Sequence, residues 1–545
     1  MKSLLLFLVL PLLFAGMGEI ALGQTNAGLP RLAKTNGVAQ LVVEGKPFLV
    51  LGGELGNSSA SDINYMRPVW PVLKAMHLNT VLLPVYWELT EPAEGQFDFA
   101  LVDSMIAAAR QQQLKLVLLW FGSWKNSMSC YAPAWVKTNQ QRFERARDSQ
   151  GRGLEILSAF SNTNLQADIN AFTALMQHIA HTDAAANTVI MVQVENEIGM
   201  LTEAREYTDA ANLAFKSKVP AVLMNYLQKH KEELVPEFRQ VWEKTGFSTT
   251  GNWEQVFGRG LATDEIFQAW HYALYAQAVA AAGKKYYNIP MFVNAALNYK
   301  NVQPGQYPSA GPLQHLIDIW QAAAPAIDFL SPDFYNPYFR RYSDQYTRRN
   351  NPFFIPEIRS APDNAAKVFY AIGHYRGLGF SPFSIESAPS PKEEPIAKSY
   401  ELLQQLVPVI TQAQAAGTIE GVLLDTSLQQ QDLVMGKYKL TVAHDYTLGW
   451  SAESRKPDWP QAGGLIVHTG DDEFLVAGTG IVVTFSPVPG TGMSAGILQA
   501  HEGRYVNGAW QPGRRMNGDQ DHQGRHIRIA TREYGIQKVK LYQYR

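Results

Sequence analysis

Cysteine is nearly absent from this chain, which has one residue of that type, Cys130, among 545. A single cysteine excludes an intramolecular disulfide framework and any zinc site built on several cysteines. An excess of one charge is missing too, because 47 Lys and Arg residues face 49 Asp and Glu residues. This balance gives no indication of a nucleic-acid partner, since nucleic-acid binding depends on clustered positive charge.

Long apolar runs are missing after the N-terminus, so the sequence predicts no membrane-spanning helix. At the N-terminus, Lys2 precedes an apolar run from Leu4 to Phe14, and small residues precede Gln24. That order is typical of a signal peptide, which we place at residues 1–23. The run is too short for a membrane anchor, and no cysteine near the cleavage site offers a lipid anchor. We therefore expect an exported protein, periplasmic or extracellular.

Signals for a cofactor or a metal ion are also missing. No glycine-rich phosphate loop follows a predicted strand, and no histidines have convincing metal-ligand spacing. We therefore expect no cofactor. Apolar residues, by contrast, make up 46% of the chain and aromatic residues 11%. An exported protein without disulfides needs a large hydrophobic core, and a chain of this length can form one.

Eight apolar segments, each short enough for a strand, alternate with helical patterns from about residue 40 onward. The segments predicted as strands are 48–51, 80–85, 116–121, 188–192, 290–294, 327–331, 352–359 and 378–384. Stretches between them, such as 101–109, have apolar residues at helical spacing. Eight strand–helix units favour an α/β fold in which the strands close into a parallel (β/α)8 barrel, the TIM barrel.

The pattern changes after the predicted barrel. Short segments rich in valine and isoleucine follow, separated by glycine and aspartate, and Asn507-Gly508 is a hairpin-turn signal. We therefore predict a barrel domain over residues 24–418 and an all-β, sandwich-like accessory domain over 419–545. The long segment at about 200–285 is interpreted as an insertion on the catalytic face, with a decorated crossover helix as the alternative.

Two of the predicted strands end in carboxylates. The fourth runs into Glu195-Asn196-Glu197, and the seventh carries Glu357 near its C-terminal end. Such groups are costly at the end of a buried strand unless they serve chemistry; the alternative is a pair of glutamates held by salt bridges. Parallel barrel strands end on one face, so we expect Glu197 and Glu357 to share a cleft. Two carboxylates across a cleft suit glycoside hydrolysis, in which one is protonated and the other ionised.

Two motifs in the chain resemble those of glycoside hydrolase family 35, the β-galactosidases. The segment 193–199 (QVENEIG) is similar to the family's acid/base signature, and 87–99 is similar to its second-strand signature. Within the family, the chain most resembles a bacterial branch associated with plant cell-wall galactosides such as xyloglucan side chains. The resemblance implies a retaining, exo-acting β-galactosidase. It also implies that Glu197 is the acid/base, that Glu357 is the nucleophile and that Asn196 contacts the sugar 2-hydroxyl.

The chain departs from the family after the third strand. Many members carry an acidic residue there that grips galactose, whereas this chain has Gly122-Ser123-Trp124-Lys125-Asn126. Glu54, after the first strand, is a candidate replacement. Further candidates for substrate binding lie at or just after strand ends, with core packing as the alternative for the aromatic ones. These candidates are Trp87, Trp124, Asn126, Asn294 and Tyr335, the last also a candidate for holding Glu357 ionised.

We also predict the backbone conformation at the end of the fourth strand. In an extended strand Glu195 and Glu197 point to one side and Asn196 to the other. Both Asn196 and Glu197 must reach one sugar, so we predict an irregularity such as a bulge there. Glu195 is expected to be buried and structural.

The predicted partner is an oligosaccharide substrate, with no nucleic acid and no membrane. Two alternatives to a β-galactosidase stay open. One is a β-glycosidase for another sugar, such as a β-glucosidase, because the resemblance does not fix the sugar. The other is a catalytically silent carbohydrate-binding barrel, which would have no need to keep two carboxylates at strand ends.

Overall fold

The computed structural model describes residues 28–545. The predicted signal peptide, residues 1–23, lies outside the described residues. The described chain forms a closed barrel of parallel strands followed by two antiparallel sheets. None of the helices in this part of the chain is long and apolar enough to cross a membrane.

The barrel has eight strands, which pair in parallel in the order in which they occur along the chain. Their bounds are Val50–Glu54, Thr80–Tyr86, Lys115–Lys125, Val189–Asn196, Met291–Ala296, Phe329–Phe334, Ile355–Ile358 and Gly379–Pro382. We number them first to eighth. Their residues are buried almost throughout, as expected for parallel strands covered by helices. The predicted TIM barrel is confirmed.

Helices between the strands cover the outside of the barrel. The main ones are Val69–Ala75, Ala100–Gln111, Asn162–Thr182, Leu261–Lys284, Ile317–Ala323, Phe339–Tyr346, Asn364–Gly373 and Pro395–Ala416. In Ala100–Gln111 the buried residues are Val102, Met105, Ile106 and Ala109, the spacing of one helix face. The last helix begins with a proline and ends at Gly417, whose φ of 69° suits a glycine C-cap.

Smaller elements occupy the loops. Short helices span Ile63–Met66, Trp87–Thr90 and Ala134–Lys137, with 3-10 turns at Ser59–Ser61, Arg348–Asn350 and Ile385–Ser387. Two short strands, Arg145–Arg147 and Gly153–Leu157, form a hairpin-like pair.

An antiparallel sheet precedes the barrel. It comprises Arg31–Thr35, Val38–Val43 and Lys46–Phe48. The sequence pattern placed Phe48 in the first barrel strand, which is wrong, because Phe48 pairs with Leu41 in this sheet. One apolar run thus serves two sheets, and the barrel strand begins at Val50.

The long segment after the fourth strand is helical. Four short helices lie in it, at Asp209–Lys216, Ala221–Lys229, Pro236–Glu243 and Trp253–Phe257. The next helix, Leu261–Lys284, packs against Asn162–Thr182 on the barrel wall and is the crossover to the fifth strand. Residues 200–285 thus hold four short helices followed by one long crossover helix.

From Ile419 onward the chain forms β-strands, with 3-10 turns at Asp445–Leu448 and Ala452–Arg455. One sheet has six strands, in the order Ile419–Leu424, Ala462–Gly470, Glu473–Thr479, Gly535–Tyr544, Ser494–Val506 and Ala509–Met516. The other has Gln430–Met435, Tyr438–His444, Ile481–Pro487 and Ile527–Ile529. A separate hydrophobic cluster lies within this region. The predicted C-terminal all-β part is confirmed, including the turn at Asn507-Gly508.

Glycines let the β region approach the barrel closely. The helix Asn364–Gly373 lies against the strands Ile419–Leu424 and Ala462–Gly470. A Cβ on Gly421 would lie 2.7 Å from the carbonyl oxygen of Phe369, and a Cβ on Gly463 2.4 Å from that of Ala366. Side chains at these positions would force the two parts of the chain apart.

Candidate active site

Four buried carboxyl groups meet at the C-terminal ends of the barrel strands. Glu54, Glu197, Asp333 and Glu357 are each 4% exposed or less. They come from the first, fourth, sixth and seventh strands. Glu197, Asp333 and Glu357 each have a carboxylate oxygen within 4.8 Å of the other two. Barrel closure therefore brings the two predicted catalytic residues together.

The backbone is irregular where the fourth strand delivers its carboxylate. Glu195 has a φ of 61° and Glu197 a φ of 45°, both in the left-handed region that non-glycine residues rarely adopt. The predicted irregularity is confirmed. Glu195 is buried and accepts a hydrogen bond of 2.8 Å from the backbone N–H of Trp124, which is the structural position expected for it. The Asn196 amide is buried and makes no hydrogen bond with the described residues.

Glu197 is held by amide side chains. Its backbone N–H donates to Asn294 Oδ1 at 2.9 Å, and Asn294 Nδ2 donates to Asp333 Oδ2 at 2.6 Å. Asn126 Nδ2 donates to Glu197 Oε2. Burial, together with the negative charge of Glu357, raises the pKa of Glu197 to about 7, against the opposing charge of Lys125. A carboxyl group with this pKa can give up a proton and take it back near neutral pH.

Glu357 has a different environment. Burial raises its pKa, whereas the positive charge of Lys125 and hydrogen bonds from Tyr335 and Glu54 lower it. The Tyr335 hydroxyl donates to Glu357 Oε1, and burial and the Glu357 charge raise the pKa of Tyr335, which keeps it a donor. The predicted contact between Tyr335 and Glu357 is confirmed.

The remaining two carboxyl groups are biased towards their neutral forms. Burial first, then the charge of Glu357, raises the pKa of Glu54 and that of Asp333 well above the usual range. The hydrogen bond that Glu54 donates to Glu357 favours the ionised form of Glu357, and the Glu357 charge raises the pKa values of its neighbours. Glu357 is therefore the group that ionises first. The arrangement thus separates one ionised carboxylate from protonated neighbours.

A cavity of about 430 Å³ opens beside these groups. The charged and polar residues lining it are Asn57, Lys125, Asn126, Glu197, Gln306, Asp333, Asn336 and Glu357, with Tyr299, Tyr307, Tyr335 and Phe383 among the aromatic ones. Among the four charged residues that line the cavity, sequence reasoning missed two as site residues, Lys125 and Asp333. Their position could have identified them, because both lie in barrel strands near the C-terminal ends, where the other candidates were found.

Two predicted sugar contacts lie elsewhere. Trp87 is fully buried, packs against Trp135 and donates to Glu91 at 2.8 Å. Trp124 is fully buried against Tyr272 and Tyr275. Neither lines the cavity. Both tryptophans therefore pack in the core, which was the alternative to sugar binding.

The other predicted residues reach the site in different ways. Asn126 and Tyr335 line the cavity and contact the two glutamates. Asn294 is engaged with Glu197 and Asp333, so it positions those groups. Glu54 is next to Glu357, as its hydrogen bond shows. The structure therefore gathers most of the candidates but gives them unequal roles.

The cluster of Glu197, Asp333 and Glu357 has the number of carboxylates that a metal ion would need. Each of the three, however, already accepts a hydrogen bond from a neutral side chain. Lys125 supplies the positive charge beside them. These contacts fit proton transfer and sugar binding.

Two parts of the chain match family models. Residues 40–263 match glycosyl hydrolases family 35, and residues 396–528 match a domain of unknown function, DUF5597. A β-galactosidase from Xanthomonas manihotis is 29% identical over 175 residues. That match covers 31% of this chain and 27% of the relative, so the chain spans about a quarter of the relative's length.

Similar solved structures share little sequence with this chain. A β-galactosidase from Bacillus circulans sp. alkalophilus is 15% identical, with a TM-score of 0.47 over 67% of this chain and 57% of its own. The catalytic domain of a β-amylase from Paenibacillus polymyxa is 14% identical, with a TM-score of 0.45 over 65% of this chain and 98% of its own. The two sequence motifs and the family model agree: residues 40–263 match the model of glycosyl hydrolases family 35, and both motifs lie within that range.

Proposed function

We propose that this protein is a retaining, exo-acting β-galactosidase in which Glu197 is the acid/base and Glu357 the nucleophile. The observation that carries the proposal is the placement of carboxylate oxygens of Glu197 and Glu357 within 4.8 Å of each other beside the cavity. Retaining enzymes hold their two carboxyl groups about 5–5.5 Å apart, and inverting enzymes about 6.5–9.5 Å, because a water must fit between. The short spacing supports direct attack by Glu357.

In the first step, Glu357 attacks the anomeric carbon and the bond to the leaving oxygen breaks. Glu197 transfers its proton to that oxygen, so the aglycone leaves as a neutral alcohol. The product is a glycosyl ester on Glu357. Tyr335, which donates to Glu357, helps keep the attacking carboxylate ionised before this step.

In the second step, the ester is hydrolysed. Its formation removes the Glu357 charge that raised the pKa of Glu197, so Glu197 is now the ionised group. Glu197 accepts a proton from water while the water oxygen attacks the anomeric carbon. Glu357 leaves as a carboxylate, and the two displacements together retain the β configuration.

The family match and the β-galactosidase relative support a galactosyl substrate. The cavity of about 430 Å³ supports cleavage at a chain end, because a space of this size beside the two glutamates accommodates a terminal sugar. The resemblance to a bacterial branch associated with plant cell walls supports galactosylated xyloglucan oligosaccharides as substrates. The signal-peptide pattern supports export to the periplasm or beyond.

The test is a hydrolysis screen of aryl β-galactosides, aryl β-glucosides and galactosylated xyloglucan oligosaccharides. We expect release of galactose and the highest kcat/KM among the galactosides. Hydrolysis of the glucoside far above the galactoside would show a β-glucosidase. Sugar binding without hydrolysis of any substrate would show a silent carbohydrate-binding barrel.

The stereochemistry is tested separately, by NMR of the first product formed from a β-galactoside. We expect the β-anomer of galactose before mutarotation. The α-anomer as the first product would show that Glu357 acts as a base on water.

A further inference from the structure

Lys125 is the cation among the residues that line the cavity. It lies at the end of the third barrel strand and is 3% exposed. Lys125 lies in segment 122–126, where the sequence departs from the family pattern. The residue therefore distinguishes this site from those of many family members. Its charge acts on Glu54, Glu197, Asp333 and Glu357 together.

Lys125 is buried as a residue, and its ammonium group has no side-chain partner. Within residues 28–545 its Nζ makes no hydrogen bond, and no carboxylate oxygen lies within the 4.0 Å of an ion pair. Lys125 Nζ lies over the ring of Phe121, 5.1 Å from the ring centroid. An ammonium group with three free N–H donors is costly on a side chain with so little exposure, unless a ligand supplies acceptors.

The backbone fixes the place of this side chain. Lys125 and Met128 exchange backbone hydrogen bonds of 2.8 and 3.0 Å across a two-residue turn. Asn126 and Ser127, within the turn, have φ values of 49° and 67°. The Ser127 N–H also donates to the Glu197 carbonyl at 3.1 Å. Lys125 is therefore held in register with the acid/base, so little conformational freedom is lost when it binds a ligand.

Unpartnered acceptors lie in the same cluster. Glu54 Oε1 and Asp333 Oδ1 are buried and make no hydrogen bond with the described residues. A sugar hydroxyl can accept from an ammonium group and donate to a carboxyl oxygen at the same time. The free donors of Lys125 and the free acceptors of its neighbours thus match a ligand rich in hydroxyls.

We propose that Lys125 donates a hydrogen bond to a hydroxyl group of the terminal sugar and selects a neutral glycosyl unit. This inference rests on the proposed function, because it places the sugar in the same cavity. The charge of the ionised Glu357 already balances that of Lys125, so a uronic acid would add a negative charge that no other cation lining the cavity offsets. The specificity is therefore for neutral, hydroxylated sugars.

The test compares wild type, Lys125→Met and Lys125→Arg on an aryl β-galactoside and its 2-, 3-, 4- and 6-deoxy analogues. Methionine keeps the stem over Phe121 but removes the charge and the donors. We expect Lys125→Met to lower kcat/KM on the parent sugar about 10- to 100-fold, the range of a hydrogen bond to a charged group. On the one deoxy analogue that lacks the contacted hydroxyl, wild type and variant should be equal. Lys285→Met, on the outside of the barrel, is the matched control.

An equal loss on the parent and on every deoxy analogue would overturn the proposal, since Lys125 would then act through its charge alone. Hydrolysis of an aryl β-glucuronide by wild type, lost in Lys125→Met, would overturn it too, because the ligand would be a carboxylate. If Lys125→Met does not fold, Lys125→Arg decides. A direct contact predicts a loss that one deoxy analogue abolishes, and a charge effect predicts near-wild-type rates.

Failure of the proposed function has a different signature. If wild type prefers glucosides, the same comparison is made with deoxyglucosides, and the Lys125 inference is tested unchanged. If wild type hydrolyses neither, calorimetric titration with galactose and its deoxy forms replaces kinetics. Binding weakened by Lys125→Met for all but one of the sugars would then support the contact with the activity absent.

Discussion

Two buried acidic sites in this molecule are built in opposite ways. In the β region, burial acts to raise the pKa of Asp445, but hydrogen bonds from Arg528 and Thr531 lower it overall. Arg528 Nε donates to Asp445 at 2.5 Å, and the Thr531 backbone N–H does so at 3.0 Å. At the barrel end, several carboxyl groups share one lysine, and Glu54 Oε1 and Asp333 Oδ1 make no hydrogen bond with the described residues.

The difference separates a structural acid from functional ones. A buried carboxylate that serves the fold is paired with donors until it stays ionised, because an unsatisfied buried charge destabilises the folded state. At the barrel end, carboxyl oxygens lack hydrogen bonds and the carboxyl pKa values are raised. Such an arrangement is useful only if the groups bind a ligand or transfer a proton. Variants in the two sites should therefore separate activity from stability.

The largest effect is expected for Glu357→Ala, which removes the nucleophile. Turnover should fall by a factor on the order of 10⁵, as for other residues that carry a covalent step. Added azide should restore slow reaction from the vacated face and give the inverted α-glycosyl azide, identified by NMR. Glu473→Ala, in an exposed ion pair of the β region, is the control. Rescue that yields the β-azide would contradict the assigned face of attack.

Glu197→Ala should have the next largest effect, and it should depend on the leaving group. Loss of general acid catalysis costs about 10²- to 10⁴-fold for poor leaving groups. Activated aryl groups need little protonation, so bond cleavage in those substrates should be much less impaired. The measurement is pre-steady-state release of a series of phenols of different pKa. A uniform loss across the series would remove Glu197 from the acid role.

Asp445→Ala tests the structural side of the comparison. It leaves Arg528 and Thr531 without their shared acceptor, so the free energy of unfolding should fall by about 1–3 kcal/mol. The kcat of the folded protein should not change. Because the folded-state pKa of Asp445 is lowered, its contribution is present above the unfolded-state pKa of about 4 and is lost as pH falls further.

Urea unfolding at neutral and acidic pH measures this contribution, with Asp471→Ala as an exposed control. A difference between wild type and Asp445→Ala that persists unchanged at the acidic end would contradict an ionised Asp445.

Asn126→Ala should give the smallest effect, a change in pH dependence. The pKa of Glu197 is about 7, and its deprotonation should reduce kcat/KM on the alkaline side of the profile. The Asn126 hydrogen bond favours the ionised form, so its removal should move this limb upward by about half to one pH unit. A downward move would show that Asn126 stabilises the protonated acid. Asn139→Ala, at an exposed position outside the helices and strands, is the control.

The family match alone would not have produced this site. It ends at residue 263, so Glu357, Asp333 and Tyr335 lie beyond it. The apolar segments in the second half of the barrel nevertheless predicted the strands that carry them. Period and length of apolar runs are local properties, and they survive where sequence similarity fades.

The sequence by itself determined the barrel, the C-terminal β strands and the two glutamates at strand ends. Each follows from a local rule. Apolar segments are buried, the side chains of a strand alternate between its two faces, and a carboxylate at the end of a buried strand is costly unless it has a function. Those rules act over a few residues and need no knowledge of the partners.

Only the tertiary structure decided which strand-end residues face the cavity. Trp87 and Trp124 follow strands as Asn126 and Tyr335 do, yet the tryptophans pack into the core and the other two reach the glutamates. The same holds for Lys125, because its electrostatic effect depends on carboxyl groups that four other strands bring to the site. The physical reason is that direction and charge balance at a barrel mouth arise when distant strands close around one axis, and no single segment contains that information.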